Sequence, residues 1–176
     1  MEGRGQSSHV RKMVYASLFA ALTAAGAWMT IPLPYVPITL QTLFVLVAGA
    51  VLGPYFGALS MIVYVLLGLI GLPVFAMGQS GLGVLLGPWG GYLFGFVFGA
   101  AATGLIARLK KRPGFLWLCM SMAAGTLVIY TFGVAQLALI SGFPVDQAVL
   151  VGALPFVPGD IVKIALGAAV ARKLEA

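Results

Sequence analysis

The feature that most constrains this chain is a series of long apolar runs separated by short breaks. Each run is about as long as a helix needs to cross the ~30 Å hydrocarbon core of a bilayer. The runs cover approximately residues 13–31, 38–53, 55–72, 89–107, 115–140, and a last segment that begins after Pro144 and ends at Arg172. Only 8% of the residues are charged, whereas soluble domains average about 25%. The pattern predicts an all-α integral membrane protein with six transmembrane helices.

Proline and glycine mark the breaks between these runs. The sequence PLPYVP (residues 32–37) ends the first run, and Gly53-Pro54 predicts a tight turn between the second and third. A glycine-rich stretch covers residues 73–88, and Pro158 predicts a break within the last run. We expect residues 1–12 to form a flexible cytoplasmic tail and residues 13–176 to form one six-helix membrane domain.

The positive charges fix the expected topology. The net charge is +6, and the cations cluster near the N-terminus, in RLKKR (residues 108–112) and at Arg172 and Lys173. Lysine and arginine accumulate on the cytoplasmic side of membrane proteins, so this placement favours a lipid environment over nucleic acid as the partner. Four crossings separate the first two clusters, and two more reach the third. Both termini are therefore predicted to be cytoplasmic.

One apolar run carries an acid and a base, Asp160 and Lys163. Counting back from Arg172 at ~1.5 Å per residue places them about 18 Å and about 14 Å from the inner boundary. A charge at that depth costs roughly 2.5–3.5 kcal/mol on insertion scales. The two residues lie on neighbouring turns and can partly neutralise each other. They form either a structural ion pair or a polar ligand site, and intramembrane ionisable groups favour the second interpretation.

Several neutral polar and aromatic residues are predicted to lie near the outer ends of the helices. Gln79 belongs to the glycine-rich stretch, which we interpret as a pliable lid over an outer pocket. Trp89 and Tyr92 either form an interfacial aromatic belt or line that pocket. Gln41 follows PLPYVP, where an amide either bonds a neighbouring helix or contacts a ligand.

The first helix has small residues at intervals of four, namely Ala16, Ala20 and Ala24, with Ala21 and Ala25 beside them. Small residues allow another helix to approach closely. This face packs either inside its own bundle or against a second membrane protein.

The remaining chemistry argues against an enzyme. His9 is the only histidine and Cys119 the only cysteine, so no catalytic triad and no histidine metal site can be assembled from this sequence. No phosphate-binding loop motif occurs either. We expect no cofactor and no metal, and any active uptake must take its energy from a partner.

Three motifs occur in a fixed order along the chain: GLPVFA within residues 71–76, GPWGGY within 87–92 and PGDIVK within 158–163. With these motifs the chain resembles the BioY family over about residues 13–172. Members of that family are the biotin-binding substrate (S) components of energy-coupling-factor (ECF) transporters in prokaryotes. The resemblance implies an outward-facing biotin pocket in a multi-pass protein of the prokaryotic plasma membrane. It also implies that alanines of the first helix dock to a transmembrane coupling (T) subunit, which two ATPase subunits drive.

The resemblance also assigns roles to individual residues. Asp160 and Lys163 would hold the polar groups of biotin, and Gln79 would contact its ureido ring. Trp89 occupies the variable position of the GPxGGY motif, so the group that binds the carboxylate stays open. The predicted biotin-binding residues are Asp160, Lys163, Gln79, Tyr92, Trp89, Gln41 and Phe75. The alternatives are an S component for another vitamin, such as thiamine or riboflavin, and a structural scaffold in which the ion pair has no ligand.

Overall fold

The computed structural model describes residues 3–175 of the chain and the side chains of residues 9–174. Seven α-helices follow one another in this part of the chain, together with a two-stranded hairpin and two short 3₁₀ turns. The helices are α1 (Gly3–Trp28), α2 (Gln41–Leu69), α3 (Leu82–Leu86), α4 (Gly90–Ala107), α5 (Phe115–Ser141), α6 (Val145–Gly152) and α7 (Val157–Glu175). The strands β1 (Thr30–Ile31) and β2 (Ile38–Thr39) are antiparallel, and the 3₁₀ turns are Ala76–Gly78 and Leu154–Phe156.

Helix α2 is broken in its middle, as the Gly53-Pro54 pair predicts. Gly53 has φ 82° and ψ −179°, which is not helical. Gly49 and Gly57 would be ~12 Å apart in a straight helix, yet a Cβ atom added to Gly57 would lie 2.8 Å from the Gly49 Cα atom. The two arms therefore fold back on each other as a hairpin. The guanidinium group of Arg108 donates a 2.7 Å hydrogen bond to the Leu52 carbonyl oxygen beside the break.

Four segments are long and apolar enough to cross a membrane: Gln41–Leu69, Gly90–Ala107, Phe115–Ser141 and Val145–Leu174. Counting the two arms of α2 separately and adding α1 gives six helical segments within residues 3–175, in agreement with the six predicted from the sequence.

One boundary differs from the sequence prediction. Helix α1 begins at Gly3, so residues 3–12, which we expected to be a flexible tail, are helical, and residues 1 and 2 lie outside the described part. No proline interrupts this segment, and its Gln, Arg and Lys residues favour a helix. The break in the last run, by contrast, lies near Pro158 as predicted, at residues 153–156. Pro158 itself belongs to the first turn of α7, where no backbone donor is needed.

The two ends of the bundle differ in chemistry. At one end, the cationic loop at residues 108–112 and Arg172 line a common recess, and the Lys12 ammonium group lies 5.7 Å from the ring centre of Phe56. At the other end, the Tyr35 and Phe143 rings are 5.4 Å apart. The clustering of the cations at one end thus agrees with the sequence prediction.

Glycines allow the helices to approach closely. Gly95 and Gly99 of α4 face Ile129 of α5, where added Cβ atoms would come within 2.9 Å and 2.6 Å of its atoms. On another side of α4, a Cβ atom at Gly104 would lie 2.5 Å from the carbonyl carbon of Gly53 and the nitrogen of Pro54. This contact positions the break of α2 against α4.

The contact at Gly104 can be tested with a single methyl group. Gly104→Ala would force α2 and α4 apart and should destabilise the bundle by about 1–3 kcal/mol, the usual cost of overpacking. The matched control is Gly114→Ala, since a Cβ atom at Gly114 meets no atom within 4 Å. Thermal unfolding in detergent should show a lower Tm for the first variant only. An equal Tm for both variants would contradict the close packing of these helices.

Candidate functional site

An inner cavity lies between α2, α4, α5 and α7, at the end of the bundle opposite the cations. It contains about 640 Å³ of space not occupied by atoms, the solvent at its opening included. Its lining is mostly apolar with a few polar groups. The lining residues are Val36, Pro37, Thr39, Gln41, Thr42, Phe75, Ala76, Val84, Trp89, Tyr92, Leu93, Phe96, Ile129, Tyr130, Phe156, Asp160 and Lys163.

Asp160 and Lys163 form an ion pair in this cavity. The Lys163 ammonium nitrogen lies 3.1 Å from Asp160 Oδ1, and the two residues are only 6% and 5% exposed. Asp160 lies in the first turn of α7, where the helix dipole favours a carboxylate. The spacing of three residues places Lys163 on the same face.

Neighbouring helices hold both charges in place. The Tyr130 hydroxyl of α5 donates a hydrogen bond to Asp160 Oδ2. The Lys163 ammonium group donates to the Thr42 hydroxyl of α2 at 3.0 Å. An ammonium group has three N–H donors and each carboxylate oxygen has two lone pairs. One donor on Lys163 and one lone pair on each oxygen of Asp160 are therefore left for a ligand.

A chain of hydrogen bonds connects the first arm of α2 with the loop beside it. The Thr39 hydroxyl donates to Gln41 Oε1 at 2.9 Å, and the Gln41 amide nitrogen donates to the Tyr64 hydroxyl. Tyr64 in turn donates to the Val74 carbonyl oxygen at 3.0 Å. Since this chain fixes the backbone next to Phe75, it positions one apolar wall of the cavity.

Aromatic side chains form the apolar part of the lining. Phe75 is 1% exposed and packs edge-on against Tyr64. The Tyr92 hydroxyl donates a 2.6 Å hydrogen bond to the carbonyl oxygen of Gly152, at the end of α6. The Trp89 indole N–H donates to the carbonyl oxygen of Tyr35, so Trp89 fastens the 32–37 loop over the cavity. Such rings can cover the apolar parts of a ligand.

A second recess, which we call the outer vestibule, lies beside the inner cavity. Its lining is Pro34, Tyr35, Gly78, Gln79, Ser80, Gly83, Val84, Gly87, Pro88, Trp89, Leu137 and Ser141. Val84 and Trp89 line both spaces, so the two adjoin at these residues.

The structure gathers six of the seven predicted site residues around the inner cavity. Gln79 is the exception, because it lines the outer vestibule. A tight turn explains the separation: Met77 and Gly78 have φ 59° and 70°. The turn leaves Phe75 in the inner cavity and carries Gln79 outward.

Sequence analysis did not identify Tyr130 and Thr42, although both bond the ion pair. Their signal in the sequence is weak. Each shares its apolar run with at least one other hydroxyl group, and such hydroxyls often bond only their own helix.

The predicted docking residues of α1 are mostly turned inward. Ala16 and Ala20 are 2% and 1% exposed, and the Ser60 hydroxyl of α2 donates a 2.7 Å hydrogen bond to the Ala16 carbonyl oxygen. Ala24 is partly buried against the same core. Ala16 and Ala20 therefore pack inside the bundle, as one of the two interpretations of this face predicts. Among the described side chains of α1, from residue 9 onward, the exposed small residues are Ser17, Ala21 and Ala25.

Comparison with known proteins identifies relatives over nearly the whole chain. The BioY family model matches residues 2–176. A biotin transporter BioY of Thermotoga maritima is 44% identical over 166 residues, which cover 94% of this chain and 96% of that protein. A probable biotin transporter BioY of Pyrococcus horikoshii is 40% identical, with coverages of 94% and 96%. The crystal structure of the S-component for biotin from an ECF-type ABC transporter matches with a TM-score of 0.88 and 28% identity, over 99% of this chain and 94% of that one.

The ion pair can be tested for a purely structural role. Lys163→Met leaves a buried carboxylate without its cation and should destabilise the ligand-free bundle by about 3–5 kcal/mol. Adding Asp160→Asn removes the unpaired charge, and the double variant should recover most of that loss because apolar or neutral replacements of buried pairs are often tolerated. Thermal unfolding of the three proteins in detergent measures both effects. A double variant as unstable as Lys163→Met would indicate that the pair itself stabilises the fold.

Proposed function

Because the chain belongs to the BioY family and its relatives include biotin transporters, we propose that its inner cavity binds biotin through Asp160 and Lys163. The protein is a substrate-binding component for biotin uptake, and its family consists of transporters rather than enzymes. The observation that carries the site assignment is the buried ion pair with a donor and acceptors left free toward the cavity.

The chemistry of biotin fits this site. The ureido ring has two N–H donors and one carbonyl acceptor. The N–H groups suit the free lone pairs of the Asp160 carboxylate, and the carbonyl oxygen suits the remaining N–H of Lys163. Both are charge-assisted hydrogen bonds in a water-poor cavity, which makes them strong. Tyr130 and Thr42 hold the two charges at the right positions for this contact.

The apolar parts of biotin meet apolar side chains. Its fused rings and alkyl chain would contact Phe75, Trp89 and Tyr92, which lie on α4 and the loops above the ion pair. The loop fastened by Trp89 lies over this entrance, so biotin would enter from the end of the bundle that carries the loops.

The charge distribution supports a sidedness for this entrance. The cationic end of the bundle would face the cytoplasm, as the positive-inside rule requires, and both termini with it. The cavity would then open to the outer surface of the plasma membrane of a prokaryotic cell. This orientation suits capture of biotin from outside.

Transport would need a coupling module. The sequence has no phosphate-binding loop motif, so ATP hydrolysis would come from two ATPase subunits acting through a transmembrane T subunit. We place the docking face on Ser17, Ala21 and Ala25, since these small residues of α1 are exposed at intervals of four. Such a face lets a partner helix approach closely.

The proposed site predicts a specific loss of binding. Asp160→Asn and Lys163→Ala should each weaken biotin binding by about 10–150-fold, the value of one hydrogen bond to a charged group. Tyr130→Phe should weaken it by about 2–13-fold, because it removes only a neutral donor behind Asp160. Isothermal titration of the purified proteins in detergent measures the Kd, and size-exclusion chromatography checks that each variant is folded.

Matched controls are available for these variants. Asp146→Asn and Lys173→Ala change the same residue types at exposed positions, and biotin should bind to both as it does to the unchanged protein. Normal affinity in Asp160→Asn and Lys163→Ala would refute the site. Tight binding of thiamine or riboflavin in place of biotin would refute the assigned ligand.

The docking face predicts a loss of assembly without a loss of binding. Ala21→Trp and Ala25→Trp should prevent co-purification with the T subunit, because a bulky ring keeps the partner helix away, while the Kd for biotin stays unchanged. The control is Leu127→Trp on α5, at a side chain that is 66% exposed. Assembly that survives both alanine variants would place the docking face elsewhere.

A further inference from the structure

The two spaces of the site contain few charged groups. Among the residues that the structure describes, the lining of the inner cavity includes one anion and one cation, Asp160 and Lys163. The described lining of the outer vestibule includes neither. The cations at residues 108–112 and 172 line a recess at the opposite end of the bundle. Biotin itself is an anion at neutral pH, so its affinity depends on how far its carboxylate lies from these charges.

The ion pair does not provide a good site for that carboxylate. An anion bound at the Lys163 ammonium group would also lie close to Asp160, whose Oδ1 atom is only 3.1 Å from the same nitrogen. The repulsion between two carboxylates would be strong in a cavity with few polar groups. The pair as a whole is neutral, and it presents acceptors and a donor side by side. Such a surface favours a neutral group that both donates and accepts, as the ureido ring does.

The carboxylate end of the ligand must therefore point away from Asp160. The adjoining space in that direction is the outer vestibule, which meets the inner cavity at Val84 and Trp89. Its polar side chains are neutral and include Gln79, Ser80 and Ser141. Amide and hydroxyl donors bond a carboxylate oxygen and an amide or ester carbonyl oxygen alike. Water that reaches the vestibule can hydrate either group.

We infer that this protein recognises the ring system of biotin but not the charge of its tail, so that it binds biotin amides and esters together with the free acid. The ligand class is a neutral bicyclic urea with an alkyl tail whose end is uncharged or anionic. This inference rests on the proposed function and assigns Gln79 to the tail instead of the ureido ring.

A comparison of three ligands tests the inference. Biotin, biotinamide and biotin methyl ester are titrated separately into the purified full-length protein, and each neutral ligand is also used to displace bound biotin. The Kd values should agree within about threefold, because no charge-assisted bond to a protein cation is lost: the described lining of the vestibule includes no Lys or Arg. Weakening of the neutral ligands by about 10–150-fold, the value of such a bond, would overturn the inference. A failure of biotin itself to bind would instead overturn the proposed function.

Substitution of Gln79 gives a second, independent test. Gln79→Lys places a cation in the vestibule and should make biotin bind about tenfold or more tightly than biotinamide. The matched control, Gln79→Met, has a side chain of similar length without charge and should leave the ratio of the two Kd values near one. Since each ratio compares two ligands in one protein, a general effect of the substitution on folding cancels. An unchanged ratio in Gln79→Lys would show that the tail does not reach the vestibule.

The opposite orientation of biotin makes a contrary prediction. If the carboxylate were bound at Lys163, removal of the nearby negative charge in Asp160→Asn would strengthen binding of biotin relative to biotinamide. The inferred orientation leaves that ratio unchanged while both ligands bind more weakly. A rise in the ratio in Asp160→Asn would therefore overturn the inference.

Discussion

The site depends on the ion pair of Asp160 and Lys163, which places two opposite charges among apolar helices. Burying an isolated charge is costly, and even a good ion pair often adds little stability. Here the Tyr130 and Thr42 hydroxyls hold the charges, yet the pair keeps hydrogen-bonding capacity toward the cavity. A neutral ligand with donors and an acceptor would use this capacity without adding charge to the membrane interior. The energetic cost of the pair is thus compatible with a binding role.

Breaks in the helices create the room in which this pair is accessible. The last segment stops at Gly152 and restarts at Val157. Asp160 therefore lies in the first turn of a helix, whereas in a continuous helix it would lie near the middle. The carbonyl oxygen of Gly152 at the break is bonded by Tyr92, which also lines the cavity. Backbone irregularity is tolerated at membrane depth only where protein or a cavity surrounds it. The break and the cavity therefore depend on each other.

Features that cost much free energy, such as a buried charge or a broken helix, could be predicted from the sequence. The direction in which a small or neutral polar side chain points costs little free energy and could not be predicted. Charges within apolar runs are rare, so Asp160 and Lys163 could be identified at once, and Gly53-Pro54 correctly predicted a break. Gln79 lies in the outer vestibule and not in the inner cavity, because the local turn at Met77, and not periodicity, decides its direction. The alanines of α1 illustrate another difficulty: Ala16 and Ala20 are buried while Ala21 and Ala25 are exposed. Successive helix positions differ by ~100°, and small residues occur on both faces, so spacing alone could not decide which face packs inward.

The cations lie at one end of the bundle and the cavity at the other, and this separation affects how an anionic ligand can be bound. A cation at the mouth of the cavity would attract anionic biotin, but in the proposed orientation it would conflict with the bias of lysine and arginine toward the cytoplasmic side. Lys163 avoids this conflict because Asp160 neutralises it within the same helix. The affinity for biotin would then come from the ureido contacts and from burial of the fused rings against Phe75 and Tyr92. Neither contribution depends on the charge of the tail. Recognition of a neutral ring system is therefore the form of specificity that this distribution of charge favours.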